Sequence, residues 1–218
     1  MAPSSSSSSA ALRQLLAERF PSAGKQRGRR LATGLPNLDE ATGGLPLGAI
    51  TEVVCSGPSC GGHLLFSRLL ALTREARGRV ALIDSSDGFD PCSYPSDTLA
   101  HLLWVRARTL DDALQSTDLL SRDANLALIL LDLRGTPENA LRRIPATQWY
   151  RLQRAVEPSG LALLVETPHA LVPSAQLRIE LSRSHSLGSL GVEQGTLCGR
   201  LAPIVMRQRI QISPLTAR

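Results

Sequence analysis

Apolar and polar positions change their rhythm along the chain, and the changes predict alternating strands and helices. Ala49 to Cys55, Arg79 to Asp84, His101 to Arg106, Leu126 to Asp132 and Leu161 to Glu166 are short, nearly continuous apolar runs. Runs of that length suit strands covered on both faces. Between them lie stretches with helical spacing: about 62–77, the segment opened by Thr109, and about 138–157 with a break at Pro145. Thr109 is a candidate N-cap, because a hydroxyl there can accept a hydrogen bond from the first helical turn. Two shorter runs, QLRIELS and APIVMRQRI, alternate in polarity and read as edge strands. Repeated βα units imply a mainly parallel, three-layer α/β sheet.

Before this body the character differs. MAPSSSSSSA reads as a flexible, solvated tail, and Ala10 to Arg19 as one short amphipathic N-terminal helix. A Pro/Gly break with Lys25, Arg27, Arg29 and Arg30 then reads as a basic linker. The expected organisation is tail, helix and linker over 1–30, an α/β core over 31–209, and a C-terminal tail over 210–218. No apolar run approaches the ~20 residues of a membrane span, and the N-terminus lacks the pattern of a secretory signal. The expectation is a cytoplasmic protein without a membrane partner.

In such sheets ligands lie beyond the carboxyl ends of the strands. The turn after Asp84, the carboxylate of Asp132, and Glu166–Thr167 all fall there, as does GPSCGGHL, Gly57 to Leu64. Gly57 and Gly62 have the spacing of a phosphate-binding loop, in which curled backbone and a helix N-terminus present N–H groups to an anion. Gly57, Pro58, Ser59, Cys60, Gly61, Gly62, His63 and Leu64 form this candidate site. His63 and Leu64 stand where the full pattern has the lysine for the β- and γ-phosphates and the hydroxyl for magnesium. Each lost charge-assisted contact removes roughly 1.5–3 kcal/mol, about ten- to a hundredfold in affinity. Lys25 is the chain's only lysine, so no other lysine can take the role. The bland alternative is a tight strand-to-helix turn.

Composition adds little chemistry. Cys55, Cys60, Cys92 and Cys198 show no paired CxxC spacing, and the four histidines have no metal-ligand spacing, so no metal site is expected. The net charge of +5 permits acidic partners without specifying one. Arg142, Arg143, Arg151 and Arg154, with Trp149 and Tyr150, are candidates for tracking a nucleic-acid backbone and stacking bases; a solvated helix face with Trp149 in the core is the alternative.

Thr33 to Phe66 resembles the opening of the RecA core, T-G-x-x-x-L-D-x-x-x-G-G-L-P-x-G-x-I-x-E followed by the phosphate loop. Thr33, Gly34, Leu38, Asp39, Gly43, Gly44, Leu45, Pro46, Gly48, Ile50 and Glu52 match. Ile83, Asp84, Asp90 and Pro91 match the next block, with Ser86 where the family's water-activating glutamate stands. By this resemblance Asp132 corresponds to the magnesium-holding aspartate, and Glu166–Thr167 replace the sensor Asn-Gln. Phe20 and Ala23 have the F-x-x-A spacing with which RecA-type proteins dock on a neighbouring core.

Within this superfamily the chain looks closest to the short, divergent ImuA group of bacterial mutagenesis operons, on LLWVRARTLDDALQSTDLL and RRIPATQWYRLQRAVEPSGLALLVETPHA. The resemblance implies a RecA-like P-loop core and a degenerate role in bacterial DNA repair and SOS-induced translesion synthesis. The implied partners are RecA or its filament, translesion polymerase partners and, through the arginines, single-stranded DNA. Four changed positions argue against ATP hydrolysis: no catalytic residue and no cofactor are expected, with weak binding of ATP and magnesium left open. The alternatives are a nucleotide-dependent strand-binding ATPase that uses His63 or a neighbour's arginine, and a division inhibitor.

Overall fold

The computed structural model describes residues 28–209 except 124. The expected N-terminal helix, Phe20 and Ala23, and the C-terminal tail from residue 210 lie outside the described residues. Seven strands form one sheet: β3 (Ala49–Cys55), β4 (Arg79–Asp84), β5 (Leu102–Arg106), β6 (Leu126–Asp132), β7 (Ala162–Thr167), β8 (Leu177–Leu181) and β9 (Ile204–Gln208), in the order β5-β4-β6-β7-β3-β8-β9. All neighbours are parallel except β8 and β9. A two-stranded ribbon of β1 (Arg30–Leu31) and β2 (Leu45–Pro46) precedes it.

The helices are α1 (Pro36–Thr42), α2 (Gly62–Glu75), α3 (Ser96–Leu99), α4 (Leu110–Leu120), α5 (Glu138–Leu141), α6 (Ala146–Val156) and α7 (Gln194–Gly199). They cover both faces of the sheet, and alternate strand residues explain why. Val53, Leu82, Leu130 and Leu164 share a buried cluster with Leu65, Phe66, Leu69 and Leu70 of α2. Their neighbours Ile83, Ile129, Leu131, Leu163 and Val165 face the opposite way, onto Leu114 of α4 and Trp149, Leu152 and Val156 of α6. Each large aliphatic side chain so buried contributes about 1.5–3 kcal/mol relative to exposure. This period-2 division of one apolar run between two cores is what makes LALILLD a central strand. Among the described residues no helix is long and apolar enough to cross a membrane.

Within the described residues the expected strands and helices are present, with Thr109 Oγ1 accepting the Asp112 N–H at 3.1 Å as the cap of α4. One expectation is corrected. QLRIELS is not an edge strand: β8 lies between β3 and β9, and the margin is β9. Its alternation arises because Arg178 and Glu180 are only partly covered, while Leu177, Ile179 and Leu181 enter the core.

The TG…LD…GG block folds as a local clasp at the opposite end of β3 from the glycine loop. Asp39 accepts hydrogen bonds from the Thr33 N–H, the Thr33 hydroxyl and the Gly34 N–H, and Gly43 ends α1 in the left-handed conformation at φ 73°. Glu52, wholly buried in β3, accepts from the Thr167 hydroxyl and the N–H groups of Leu171 and Val172 and pairs with Arg178. These residues pin the chain leaving β7 to the centre of the sheet.

Candidate functional site

Three buried carboxylates stand in one row at the carboxyl edge of the sheet. Asp84 is opposite Asp132 across β4 and β6, and Asp132 is opposite Glu166 across β6 and β7. Asp84 is consumed locally: its oxygens accept the N–H groups of Ser86, Gly88 and Phe89 at 3.0–3.1 Å. Burial opposes its ionisation, but these three donors together hold its pKa below the usual carboxylate range.

Asp132 and Glu166 share a cation from their own chain. Arg134, two residues past Asp132, donates from Nε to Asp132 Oδ1 at 2.9 Å and from Nη2 to Oδ2 at 2.6 Å, and its backbone N–H also reaches Oδ1. Nε lies 2.9 Å from Glu166 Oε2 as well, but its hydrogen is directed at Asp132. Neither oxygen of Glu166, whose side chain is completely buried, receives an aligned hydrogen bond. Burial, only partly offset by the Arg134 charge, pushes the Glu166 pKa up to about 8. Burial also works against the Arg134 charge, but the two acids outweigh it and keep the guanidinium ionised.

The glycine loop lies directly on this cluster. A Cβ placed on Gly62 would come within 2.9 Å of both Arg134 Nη1 and Glu166 Oε1, and 3.2 Å from Cys55 Sγ. Arg134 Nη2 is 3.1 Å from His63 Nε2; since arginine can only donate, that nitrogen accepts and the ring proton sits on Nδ1. Desolvation first, then the Arg134 charge, lowers the His63 pKa, although part of the ring is open to solvent. His63 is therefore a neutral acceptor and not a replacement for the missing lysine charge.

The chain between β8 and β9 closes over the loop from the other side. His185 donates its backbone N–H to Ser59 O and Ser184 its hydroxyl to Pro58 O, both at 2.9 Å. Leu201 packs on Gly61, where an added Cβ would meet its Cδ2 at 2.3 Å. Gln194 donates to the Ser67 hydroxyl, and the Cys198 thiol to Leu64 O, tying α7 to α2. Between this segment and the loop a cavity of about 940 Å³ remains, lined by Gly57–Leu64, Arg134 and Pro168 and, from the covering segment, by His185, Leu187, Leu190, Val192 and Leu197 among others. Leu187 and Leu190 stand 86% and 84% exposed at this segment, so the cavity is more apolar than a phosphate site needs.

The remaining candidates are elsewhere. Trp149 is 1% exposed in the core beneath α6 and is unavailable for stacking on a base, which leaves Tyr150 as the exposed aromatic of that helix. Arg142 pairs with Glu138 and Arg151 with Asp118. Arg143 and Arg151 line a second cavity, of about 480 Å³, between α4, α5 and α6, and Arg154 is exposed farther along α6. Among the described residues no three His, Cys, Asp or Glu side chains are grouped to hold a metal.

The chain matches no protein-family model and no curated protein. Its chemistry rests on the residues themselves, and two of those escape a motif reading. Arg134 was visible only as the first cation after a strand that ends in a carboxylate. Glu166 was visible as a changed sensor position but not as the neighbour of Asp132, a relation that exists only once β6 and β7 pair.

Proposed function

We propose that this chain is a RecA-like core that no longer hydrolyses nucleotide. On this reading it serves bacterial DNA repair and damage-induced translesion mutagenesis by contacting RecA, or its filament, and translesion polymerase partners. The long block from Thr33 to Glu52, the glycine loop at the end of β3 and Asp132 at the end of β6 support the RecA-like assignment. The glycine loop and Asp132 lie at the carboxyl ends of parallel strands, which is compatible with this reading.

One observation carries the loss of hydrolysis. Arg134 is clamped between Asp132 and Glu166 and against His63, so the acid that would hold magnesium already has a cation. Releasing Arg134 to a phosphate would strand Asp132, and breaking a buried ion pair costs about 3–5 kcal/mol. A charge-assisted hydrogen bond to phosphate returns roughly 1.5–3 kcal/mol. The internal pairing wins unless several new contacts form together.

Arg134 is also the feature that favours the rival reading, a nucleotide-dependent strand-binding ATPase, because it puts a cation beside the loop without a lysine. Calorimetric titration of ATP with magnesium separates the two. The proposal expects no heat at millimolar nucleotide, together with co-sedimentation of the chain with RecA filaments. Micromolar binding coupled to ATP-dependent, salt-sensitive retention of single-stranded DNA would replace it with the rival.

A further inference from the structure

The 940 Å³ cavity over the glycine loop has walls of two kinds. One is aliphatic: Leu64 from α2 and Leu187, Leu190, Val192 and Leu197 from the segment between β8 and β9. The other is the loop itself, with Gly61, Gly62 and His63 at the start of α2. The volume falls among those of small-molecule sites, about 300–1,000 Å³. Among the described residues that line it there is no aspartate or glutamate, and no phenylalanine, tyrosine or tryptophan.

The loop wall favours negative charge. No side chain caps α2 and its first turn holds no acid, so first-turn N–H groups and the positive end of the helix dipole meet the cavity there. His185 brings Nε2 to 3.5 Å from the position of a Gly61 Cβ, and Arg134 also lines the cavity. Beneath this wall the wholly buried Glu166 directs Oε1 to within 2.9 Å of the position of a Gly62 Cβ, and neither of its oxygens has a hydrogen-bond partner. Since burial favours its protonated form, Glu166 leaves the end of α2 unneutralised and is itself a donor without an acceptor.

The other wall favours an alkyl chain. Leu187 and Leu190 belong to one short 3₁₀ turn, Leu187–Gly191, and both line the cavity although they are almost fully in water. A ligand that covers them gains the free energy of removing that apolar surface from solvent. A nucleotide gains little here. Its base finds no aromatic side chain, and its phosphates find no lysine and an Arg134 already bound to Asp132.

We propose that this cavity binds a free aliphatic monocarboxylate, with the carboxylate at the start of α2 and the alkyl chain along Leu187 and Leu190. A single negative charge can be met by the loop N–H groups while Arg134 stays on Asp132. The chain fills the part of the cavity that phosphate chemistry leaves unused. The inference does not depend on the RecA-like reading, because it uses only the lining of the cavity.

The test titrates octanoate, decanoate and dodecanoate, below their micelle concentrations, into the full chain by calorimetry. The expected result is one molecule bound per chain, with affinity rising about tenfold for each two added carbons. Acetate should give no heat, and dodecanol should bind at least about tenfold more weakly than dodecanoate for want of the charge-assisted contacts. Leu187→Ser combined with Leu190→Ser should weaken dodecanoate by about tenfold or more and leave the urea midpoint unchanged, since both side chains are exposed. An affinity that does not grow with chain length overturns the proposal, as does dodecanol binding as tightly as dodecanoate. Undiminished binding in the folded double variant overturns it too, because the chain would then lie elsewhere. If that variant does not fold, the chain-length series and dodecanol decide on the wild type. ATP with magnesium, titrated in parallel, bears on the loss of nucleotide hydrolysis alone, so the two readings fail separately.

Discussion

Asp132 and Glu166 stand opposite each other on adjacent parallel strands and are held by one guanidinium, 2.6 Å from the first and 2.9 Å from the second. Two carboxyl groups brought this close out of water require a cation or a proton. The site supplies both, Arg134 bound to Asp132 and a proton favoured on Glu166. In a magnesium–nucleotide site the cation would arrive with the ligand; here it is built into the chain two residues from the aspartate.

Arg134→Ala should therefore destabilise the fold toward the lower end of the roughly 3–5 kcal/mol for a broken buried pair, since the guanidinium is 21% exposed. Adding Asp132→Asn should recover part of the loss, with a coupling of about 0.5–3 kcal/mol. Urea unfolding of the two single variants and the double variant measures it. Additive losses would mean that the pair contributes nothing.

Glu166 sets a pH dependence. Its carboxyl titrates near 8 folded, against 4.5 for an ordinary glutamate, so the folded state holds the extra proton. The stability it contributes is complete below about pH 4.5 and falls as pH rises toward 8. Glu166→Gln keeps the shape of the protonated group and removes the titration. The difference in unfolding free energy between wild type and variant should shift in favour of the variant between pH 5 and pH 9. Parallel stabilities across that range would show that Glu166 is ionised throughout beside Arg134.

How far the sequence reveals this molecule depends on whether the cause is local. LALILLD announces a buried strand by itself, and Thr109 announces its helix, because apolar runs and caps act within a few residues. The edge assignment of β8 fails because alternation reports burial and not strand order, which long-range pairing with β3 decides. The loop was legible as a glycine turn at a strand end. What lies on it was not: Arg134, Glu166 and Leu201 come from segments 72, 104 and 139 residues beyond Gly62, the differences in their sequence numbers, and meet it only in the folded sheet.

Gly61 tests whether the loop now serves packing. Its φ of 100° is strained for any side chain, and an added methyl would strike Leu201. Gly61→Ala should cost about 1–3 kcal/mol from the backbone alone, and more from the clash. Pairing it with Leu201→Ala should relieve only the clash, so the double variant should lose less than the sum of the single losses. Thermal or urea unfolding reads the difference. Strict additivity would mean that Leu201 does not rest on the loop.

The arginine face of α6 invites a contrast between neighbours. Trp149 is 1% exposed and Tyr150 49%, although a sequence reading treats them as one aromatic pair. Trp149→Ala should cost about 3–5 kcal/mol through the cavity it leaves, whereas Tyr150→Ala should stay within about 0.5 kcal/mol. If single-stranded DNA follows Arg143, Arg151 and Arg154, base stacking must fall to Tyr150, and its loss should weaken binding by about 1–3 kcal/mol. Filter binding of an oligonucleotide at two salt concentrations, with wild type, Tyr150→Ala and Trp149→Phe, separates these effects. Weaker binding in folded Trp149→Phe with Tyr150→Ala unchanged would mean that α6 turns its buried face outward to bind. That outcome would contradict the packing of Trp149 against β6 and β7.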